Sequence, residues 1–407
     1  MPSKTSNKVS LGNKIFFEIL AGAVKLAARI VLGFKIDTDE KVRQWKKSKD
    51  GFIVLCAHPS EFDAVVLLSA CFPRYTRFVA GAQQLYKGFQ GKMLRLIKVI
   101  PKKQFVPDIS AIKEMMKTIK SGYVLGMMPE GRVSMDGTPN PNDISTAKLL
   151  KKIGAPVAIL IPHGTYFIKP SYNYSGIKIG KISAEMKCLF TAEDLSVMSE
   201  DEILSRLSDA CSYNAAEELR GMKRHYGSKK NNAFLGVSRI LYRCPACGSM
   251  YSISDDGYTL SCRSCKKEAK LSEDMFIESL EKDAAPSWPD NIPQWNADQI
   301  SFEHDFWKNY DASISFAVKK SMLTLGKETD YHYCCDGLLS LDANGLHYSD
   351  KEETIDAALN LVAGVSADYQ HGFITYYQGN DIRRFTLENS QYVTRFVNSL
   401  MVLKNLK

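Results

Sequence analysis

Two groups of residues in this chain have the types and spacing to do chemistry. His58 stands five residues ahead of Asp63. An imidazole with a carboxylate on one ring nitrogen can take a proton from a hydroxyl with the other, because the carboxylate fixes the tautomer and stabilises the imidazolium. The spacing H-x4-D delivers such a pair when the histidine ends a strand and the aspartate sits in the first turn of the next helix. Residues 52–57 read as a buried strand, Pro59 and Ser60 as the turn, and Ala64 to Leu68 as the helix. The chemistry is that of a general base working without a protein nucleophile. The same residues admit another reading: Ser60-Glu-Phe-Asp63 is also a capping box ahead of an apolar helix, and a strand-end histidine can be a solvated turn residue.

The second group is Cys244-Pro-Ala-Cys247 and Cys262-Arg-Ser-Cys265, fourteen residues apart around the hairpin signal Asp255-Asp-Gly257. Two thiolate pairs on facing knuckles make a closed tetrahedral zinc site with no position left for water. A ribbon this short buries too little apolar area to fold alone, so the metal supplies the missing stability. Few aromatics and no dense basic patch lie inside it, which favours a structural ribbon over nucleic-acid contact. Cys56, Cys71, Cys188, Cys211, Cys334 and Cys335 are expected to serve as small packing residues.

A further signal ends another apolar strand, at Met128-Pro-Glu-Gly-Arg-Val-Ser134. Gly131 permits a tight turn, and Arg132 offers a planar fork of donors suited to a phosphate. Glu130 could orient that arginine or hold an acceptor hydroxyl, and the plain alternative is an ordinary surface turn. Upstream, Lys87, Lys92, Arg95, Lys98, Lys102 and Lys103 make a basic stretch that is either a solvated face or a seat for an anionic acceptor.

These residues must be positioned by a scaffold, and short apolar runs alternating with helical patterns over residues 51–167 predict an α/β layer architecture. Strands are expected at 52–57, 77–80, 123–128 and 156–161. Helices are expected after Ser60, Leu85, Asp108 and Asp143, with Ser60, Asp108 and Asp143 as N-caps. Ser199 and Glu202 form a capping box for a helix running toward His225. Residues 227–232 and 284–298 read as connections. Beyond them come strands near 338–341, 346–348 and 372–377, turns at 342–345 and 379–381, and a closing helix over residues 390–406. This last segment faintly looks like a pleckstrin-homology or GRAM-type sandwich.

At the other end, residues 15–34 are about long enough to cross a bilayer. Lys14, Glu18, Gly22, Lys25 and Arg29 nevertheless fall on one helical face, which predicts an amphipathic helix, either in a membrane interface or packed on its own domain. The chain of 407 residues carries a formal charge of +8, favouring anionic partners without choosing among lipid, phosphorylated substrate and nucleic acid. No signal-peptide pattern is present and four of the ten cysteines are in C-x-x-C pairs, so the expected place is the cytoplasm or the cytoplasmic face of the cell membrane. The expected units are an N-terminal membrane-surface helix at 1–35, a layered α/β domain at 36–230, the zinc ribbon at 240–272 and a small β-rich (α+β) domain at 300–407.

The chain resembles the glycerol-3-phosphate and 1-acylglycerol-3-phosphate acyltransferases. Four blocks occur in that family's order: Ala57-His-Pro-Ser-Glu-Phe-Asp63, Val99-Ile-Pro-Lys-Lys103, Pro129-Glu-Gly-Arg132 and Ala155-Pro-Val-Ala-Ile-Leu-Ile-Pro162. The resemblance covers roughly residues 15–190. It implies that His58, oriented by Asp63, deprotonates an acceptor hydroxyl that attacks the thioester of acyl-CoA or acyl carrier protein. It also implies that Glu130, Gly131 and Arg132 meet the glycerol phosphate, with Lys102 or Lys103 assisting. Lysophosphatidic acid is the first choice of acceptor, with glycerol-3-phosphate or another lysolipid behind it. Three departures bear on the acceptor: the second block carries Lys102-Lys103 where the family usually has arginine, and in the third block, commonly Glu-Gly-Thr-Arg-Ser, Arg132 here follows Gly131 directly and Val133 intervenes before Ser134. The competing reading is a non-catalytic binding protein on a degenerate acyltransferase scaffold, its zinc ribbon contacting nucleic acid or a protein partner.

Overall fold

The computed structural model describes residues 11–406 apart from 87, 104–107, 221–224, 229–230, 273–275, 281–287, 309–310, 326–329, 360–364 and 379–380. Lys87 and residues 379 and 380 of an expected turn thus lie outside the described residues.

The apolar N-terminal stretch forms one helix, α1 (Leu11–Leu32), followed by β1 (Lys35–Thr38) and α2 (Glu40–Lys47). Strand and helix then alternate through β2 (Ile53–Cys56), α3 (Asp63–Cys71), β3 (Thr76–Gly81), α4 (Gly88–Leu96), β4 (Ile100–Lys102), α5 (Ile109–Lys120), β5 (Val124–Met127), α6 (Ile144–Ile153), β6 (Val157–His163), α7 (Thr165–Ile168) and β7 (Ser183–Phe190). The strands pair in the order β1-β7-β6-β2-β5-β3-β4. Strands β2 to β6 run parallel, with β7 antiparallel to β6. Every residue of β2 is buried, as a central parallel strand requires. Its alternate side chains enter two different cores: Val54 and Cys56 join Phe17, Val66 and Leu67 of α1 and α3, while Ile53 and Leu55 join Met115 and Leu150 of α5 and α6. Helices therefore cover both faces of the sheet.

Helix starts follow side-chain chemistry. Asp108 accepts the Ala111 N–H and Asp143 the Ser145 N–H, as expected of N-caps. After α8 (Ala192–Val197), Ser199 and Glu202 exchange hydrogen bonds at the start of α9 (Glu200–Ala210). That helix stops at Ala210 instead of running toward His225, and a separate short helix, α10 (Ala215–Leu219), follows with Asn214 as its cap. Ser60 is likewise not the cap of α3: the helix begins three residues later, and the Ser60 hydroxyl receives the Phe62 N–H in the turn.

Helix α1 resolves the choice left open by its sequence in an unexpected way. Phe17, Ala21, Ala28 and Leu32 are buried, while Leu11, Ile15, Ile19, Leu26 and Ile30 are exposed on another face. Lys14 and Lys25 lie over the rings of Tyr123 and Phe72, 4.7 and 5.5 Å from the centroids. The cations thus flank the packed face and an apolar stripe remains uncovered. Among the described residues no helix is long and apolar enough to cross a membrane.

Residues 227–232, expected as a plain connection, contain the paired segments β8 (Gly227–Ser228) and β9 (Asn231–Asn232). The cysteine segment follows as a small antiparallel sheet of β10 (Ile253–Asp255), β11 (Thr259–Cys262), β12 (Glu268–Leu271) and β13 (Ile277–Ser279). The connection expected over 284–298 turns helical at α11 (Ile292–Trp307), within which residue 300 lies. Asn291 caps it and Pro293 sits in its first turn, where a missing N–H costs nothing. The chain ends in β14 (Ser313–Thr324), β15 (His332–Asp342), β16 (Gly345–Ser349), β17 (Thr354–Ala358), β18 (Val365–Asp368), β19 (Phe373–Gln378), β20 (Asp381–Leu387) and α12 (Ser390–Leu406). These seven strands pair in the order β17-β16-β15-β14-β20-β19-β18, all antiparallel, and α12 packs against β18, β19 and β20.

The whole is a mixed α/β protein with a β-rich C-terminal region, and α11 ties its parts together through buried polar side chains. Asn296 donates to Asp136 at 2.8 Å, Gln299 accepts the Tyr242 N–H at 2.6 Å, and Glu303 pairs with Arg395 of α12 at 3.1 Å. Such bonds lose their worth if either partner shifts, so they fix the terminal sheet relative to the first.

Candidate active site

The carboxyl ends of β2, β3 and β5 meet along one edge of the first sheet, the position where open parallel sheets hold ligands. His58 follows β2. Its Nδ1 stands 3.2 Å from Oδ2 of Asp63, and the same oxygen accepts the Ser60 N–H at 2.6 Å. The imidazole is 15% exposed and the carboxylate 0%, so the ring reaches the surface while its partner stays inside. With Nδ1 turned to Asp63, Nε2 is the nitrogen left for a substrate. The turn reading and the dyad reading of this segment therefore coexist, because a single oxygen serves both the Ser60 backbone and the ring.

The backbone of His58 is gripped on both sides by the loop after β5. Its N–H donates to Oε1 of Glu130 at 2.8 Å, and its carbonyl accepts the Ser134 N–H at 2.9 Å. Oε2 of Glu130 accepts from the backbone and side chain of Asn140, at 2.7 and 3.2 Å. Both oxygens of this buried carboxylate are thus engaged away from Arg132. Gly131, at φ +70°, supplies the left-handed turn that swings Arg132 outward. Asn140 and Ser134 gave no separate sequence signal, since a polar loop looks the same whether or not it clamps a neighbour.

His58, Gly131 and Arg132 line one cleft of about 150 Å3. Glu130 lies behind it, and neither Lys102 nor Lys103 reaches its walls. The Lys102 ammonium is partly buried near Asp108 and Asp143, and the Lys103 N–H bonds to Asp108. Nε of Arg132 is buried with no hydrogen-bond partner. The opposite wall comes from the terminal sheet, including Tyr331, Phe373 and Arg384, which sequence reasoning did not single out.

The four cysteines Cys244, Cys247, Cys262 and Cys265 come together, their sulfurs all within 4.8 Å of one another. Sγ of Cys244 lies 3.9 Å from that of Cys265, and Sγ of Cys247 lies 3.8 Å from that of Cys262. Four sulfurs at about 2.3 Å from one zinc would stand about 3.8 Å apart at tetrahedral corners. The donor set and its size therefore fit that ion, and the spacing is far too long for disulfides.

Burial pushes the Asp63 carboxyl above its ordinary range, with the His58 hydrogen bond opposing it, and burial does the same to Glu130 against the bonds from Asn140 and His58. A carboxyl raised in the native state holds its proton longer there than in the unfolded chain. Its stabilising contribution is complete below the ordinary carboxylate range and is lost as pH rises through the native value. Asp63→Asn, which keeps an oxygen for the Ser60 N–H, escapes that loss. Thermal unfolding of both proteins at about pH 4 and about pH 7 should show the variant gaining on the parent at the higher pH. An equal difference at both would remove the claim.

The chain is similar to proteins already known. Residues 33–162 match the family model described as Acyltransferase. A 1-acyl-sn-glycerol-3-phosphate acyltransferase of Bacillus subtilis (strain 168) is 22% identical over 201 residues, which are 49% of this chain and 96% of that protein. Among solved structures, the 1-acyl-sn-glycerophosphate (LPA) acyltransferase PlsC of Thermotoga maritima aligns at 18% identity and a TM-score of 0.41, over 53% of this chain and 84% of its own. The matched family segment contains His58, Asp63, Glu130 and Arg132, and the chain is an acyltransferase enzyme.

Proposed function

We propose that the chain moves an acyl group from a thioester, carried by coenzyme A or acyl carrier protein, to the free hydroxyl of lysophosphatidic acid at a membrane surface. The observation that carries this reading is the Asp63-held imidazole of His58 opening on the cleft that contains Arg132. The Bacillus subtilis relative is named for the same acceptor. Nε2 takes the hydroxyl proton as the oxygen attacks the thioester carbonyl. The tetrahedral adduct collapses, the C–S bond breaks, and the thiolate takes the proton from the imidazolium. One ester and one thiol are formed, and His58 is neutral again. Arg132 offers its fork to the phosphate, while Lys102 and Lys103, outside the cleft walls, add positive potential nearby.

The exposed apolar stripe of α1 supports peripheral attachment to the cytoplasmic face of the cell membrane, with Lys14, Lys25 and Arg29 near the headgroups. The four clustered cysteines are assigned to structural zinc, which would join the two knuckles and supply folding energy to a segment with little core of its own. Because all four positions are filled by sulfur, the ion would have no place for substrate.

Three measurements check these assignments. With labelled acyl thioester and lysophosphatidic acid, the protein should form phosphatidic acid and release thiol, and His58→Ala should slow this by about 10²- to 10⁴-fold. Unchanged transfer in that variant would falsify the mechanism. Purified protein should return about one zinc per chain, and Cys244→Ser with Cys262→Ser should return none; full metal retention in the double variant sinks the site. Ile15→Glu with Ile19→Glu should release the protein from sedimenting anionic vesicles while leaving its fold intact, and undiminished sedimentation would remove α1 as the anchor.

A further inference from the structure

Arg384 lies on β20, more than 250 residues from Arg132 in the chain, yet both line the cleft that His58 enters. Its guanidinium is held between two aromatic rings, 3.6 Å from the centroid of Tyr331 and 4.3 Å from that of Phe373. Stacking of this kind fixes the plane of the fork while leaving its edge free for hydrogen bonds. Nε of Arg384 is buried without a hydrogen-bond partner, as is Nε of Arg132. No carboxylate of the described residues forms a salt bridge with either guanidinium. The contrast with the adjacent residue is instructive, since Arg383 is paired with Glu353.

Two carboxylates do line the same cleft and must be weighed. Asp368 is committed to His371, whose backbone and ring nitrogens lie 2.8 and 3.0 Å from Oδ1. Glu61 is exposed, so its field is damped by water. Each guanidinium therefore keeps a buried Nε–H without an acceptor, Arg132 from the loop after β5 and Arg384 from β20, while Arg384 also has a side-chain hydrogen bond to Tyr331. Buried N–H groups of a cation without acceptors cost free energy, and an anion that accepts from both removes that cost.

We propose that Arg384 and Arg132 together form a subsite for a phosphate group, so that the terminal β-rich sheet completes the substrate site of the acyltransferase. This rests on the acyltransfer reading and adds to it a residue of the terminal sheet. The phosphate is carried either by the acceptor or by the phosphorylated carrier of the thioester. Tyr331 and Phe373 are positioning residues, since they hold the guanidinium and do not themselves meet the anion.

Steady-state kinetics on the full-length protein distinguish the sources. Arg384→Gln should raise one KM by about ten- to a hundredfold with a smaller change in kcat, because it removes charge-assisted hydrogen bonds distant from the reacting carbon. A rise for lysophosphatidic acid assigns the acceptor's phosphate, and a rise for the thioester assigns the carrier's. Arg384→Lys, which keeps the charge and loses the fork, should recover only part of the loss. If both KM values stay at the parent level, or if kcat alone falls, the subsite does not exist. Calorimetric titration with glycerol 3-phosphate, and separately with coenzyme A, supplies a readout independent of turnover. Binding of one of them that survives His58→Ala and is lost in Arg384→Gln supports the subsite even if no acyl transfer is detected. Transfer that persists while neither titration nor KM depends on Arg384 overturns the subsite and leaves the acyltransfer reading standing.

Discussion

One buried oxygen, Oδ2 of Asp63, constrains everything around the candidate active site. It accepts the Ser60 N–H and faces Nδ1 of His58, so the turn that ends β2 and the orientation of the ring are set by the same atom. A fully buried carboxylate is costly unless donors surround it, and that cost is what makes the arrangement specific: a ring flipped away would remove the His58 donor and leave the carboxylate with the Ser60 N–H and the Thr165 hydroxyl. Glu130 imposes a second constraint of the same kind from the neighbouring strand end. Its two oxygens join the His58 backbone to Asn140, so β2 and the loop after β5 cannot drift apart. A strand end, a helix start and a loop are thereby locked to one residue, in the geometry that proton transfer needs.

The opposite wall of the cleft is held by a different set of polar contacts. Asn296 on α11 reaches Asp136 in the loop that carries Ser134, and Asn398 on α12 reaches Asn296 in turn. Lys169 and Arg239 both hold Gln370, the former at 3.1 Å, near the cleft. The bonds at Asp136 and Asn398 are buried, where a lost partner is expensive, so the terminal sheet is set against the first by directional contacts as well as by apolar packing. These contacts hold the two walls of the cleft against each other.

The scaffold of this site was legible in the sequence because it obeys local rules. The runs at 52–57 and 123–128 are short, apolar and bounded by turn residues, and they became β2 and β5. His58 with Asp63 could be paired because five residues across a strand-to-helix turn leave few other outcomes, and the cysteines because their spacing has few other uses. Three things escaped for physical reasons. The uncovered stripe of α1 escaped because period identifies faces but not which face is packed: Phe17 and Ile19 are equally apolar, yet only Phe17 is buried. The helical stretch from Ile292 was obscured by Pro293 and the tryptophans around it, which read as a break although proline in a first turn is compatible with a helix. Arg384 was invisible because its role depends on a cleft wall assembled from residues far apart in the chain, and one arginine in a strand carries no local mark.

That division extends to the chemistry. In the proposed transfer the imidazole would act on the atoms that change bonding, so whatever Asp63 contributes would be felt as charge develops on His58 in the transition state. The guanidiniums of Arg132 and Arg384 would meet a phosphate whose charge is the same before and during acyl transfer. Interactions of that second kind stabilise substrate and transition state alike, lowering KM and sharpening selection among acceptors without raising kcat. A scaffold whose proposed base is fixed locally, by residues 58–63 and the adjacent loop, would therefore have its substrate choice altered by a wall contributed from elsewhere in the chain. In this protein that wall is the terminal sheet, and the rigidity of its attachment through α11 is what would make such distant selection effective.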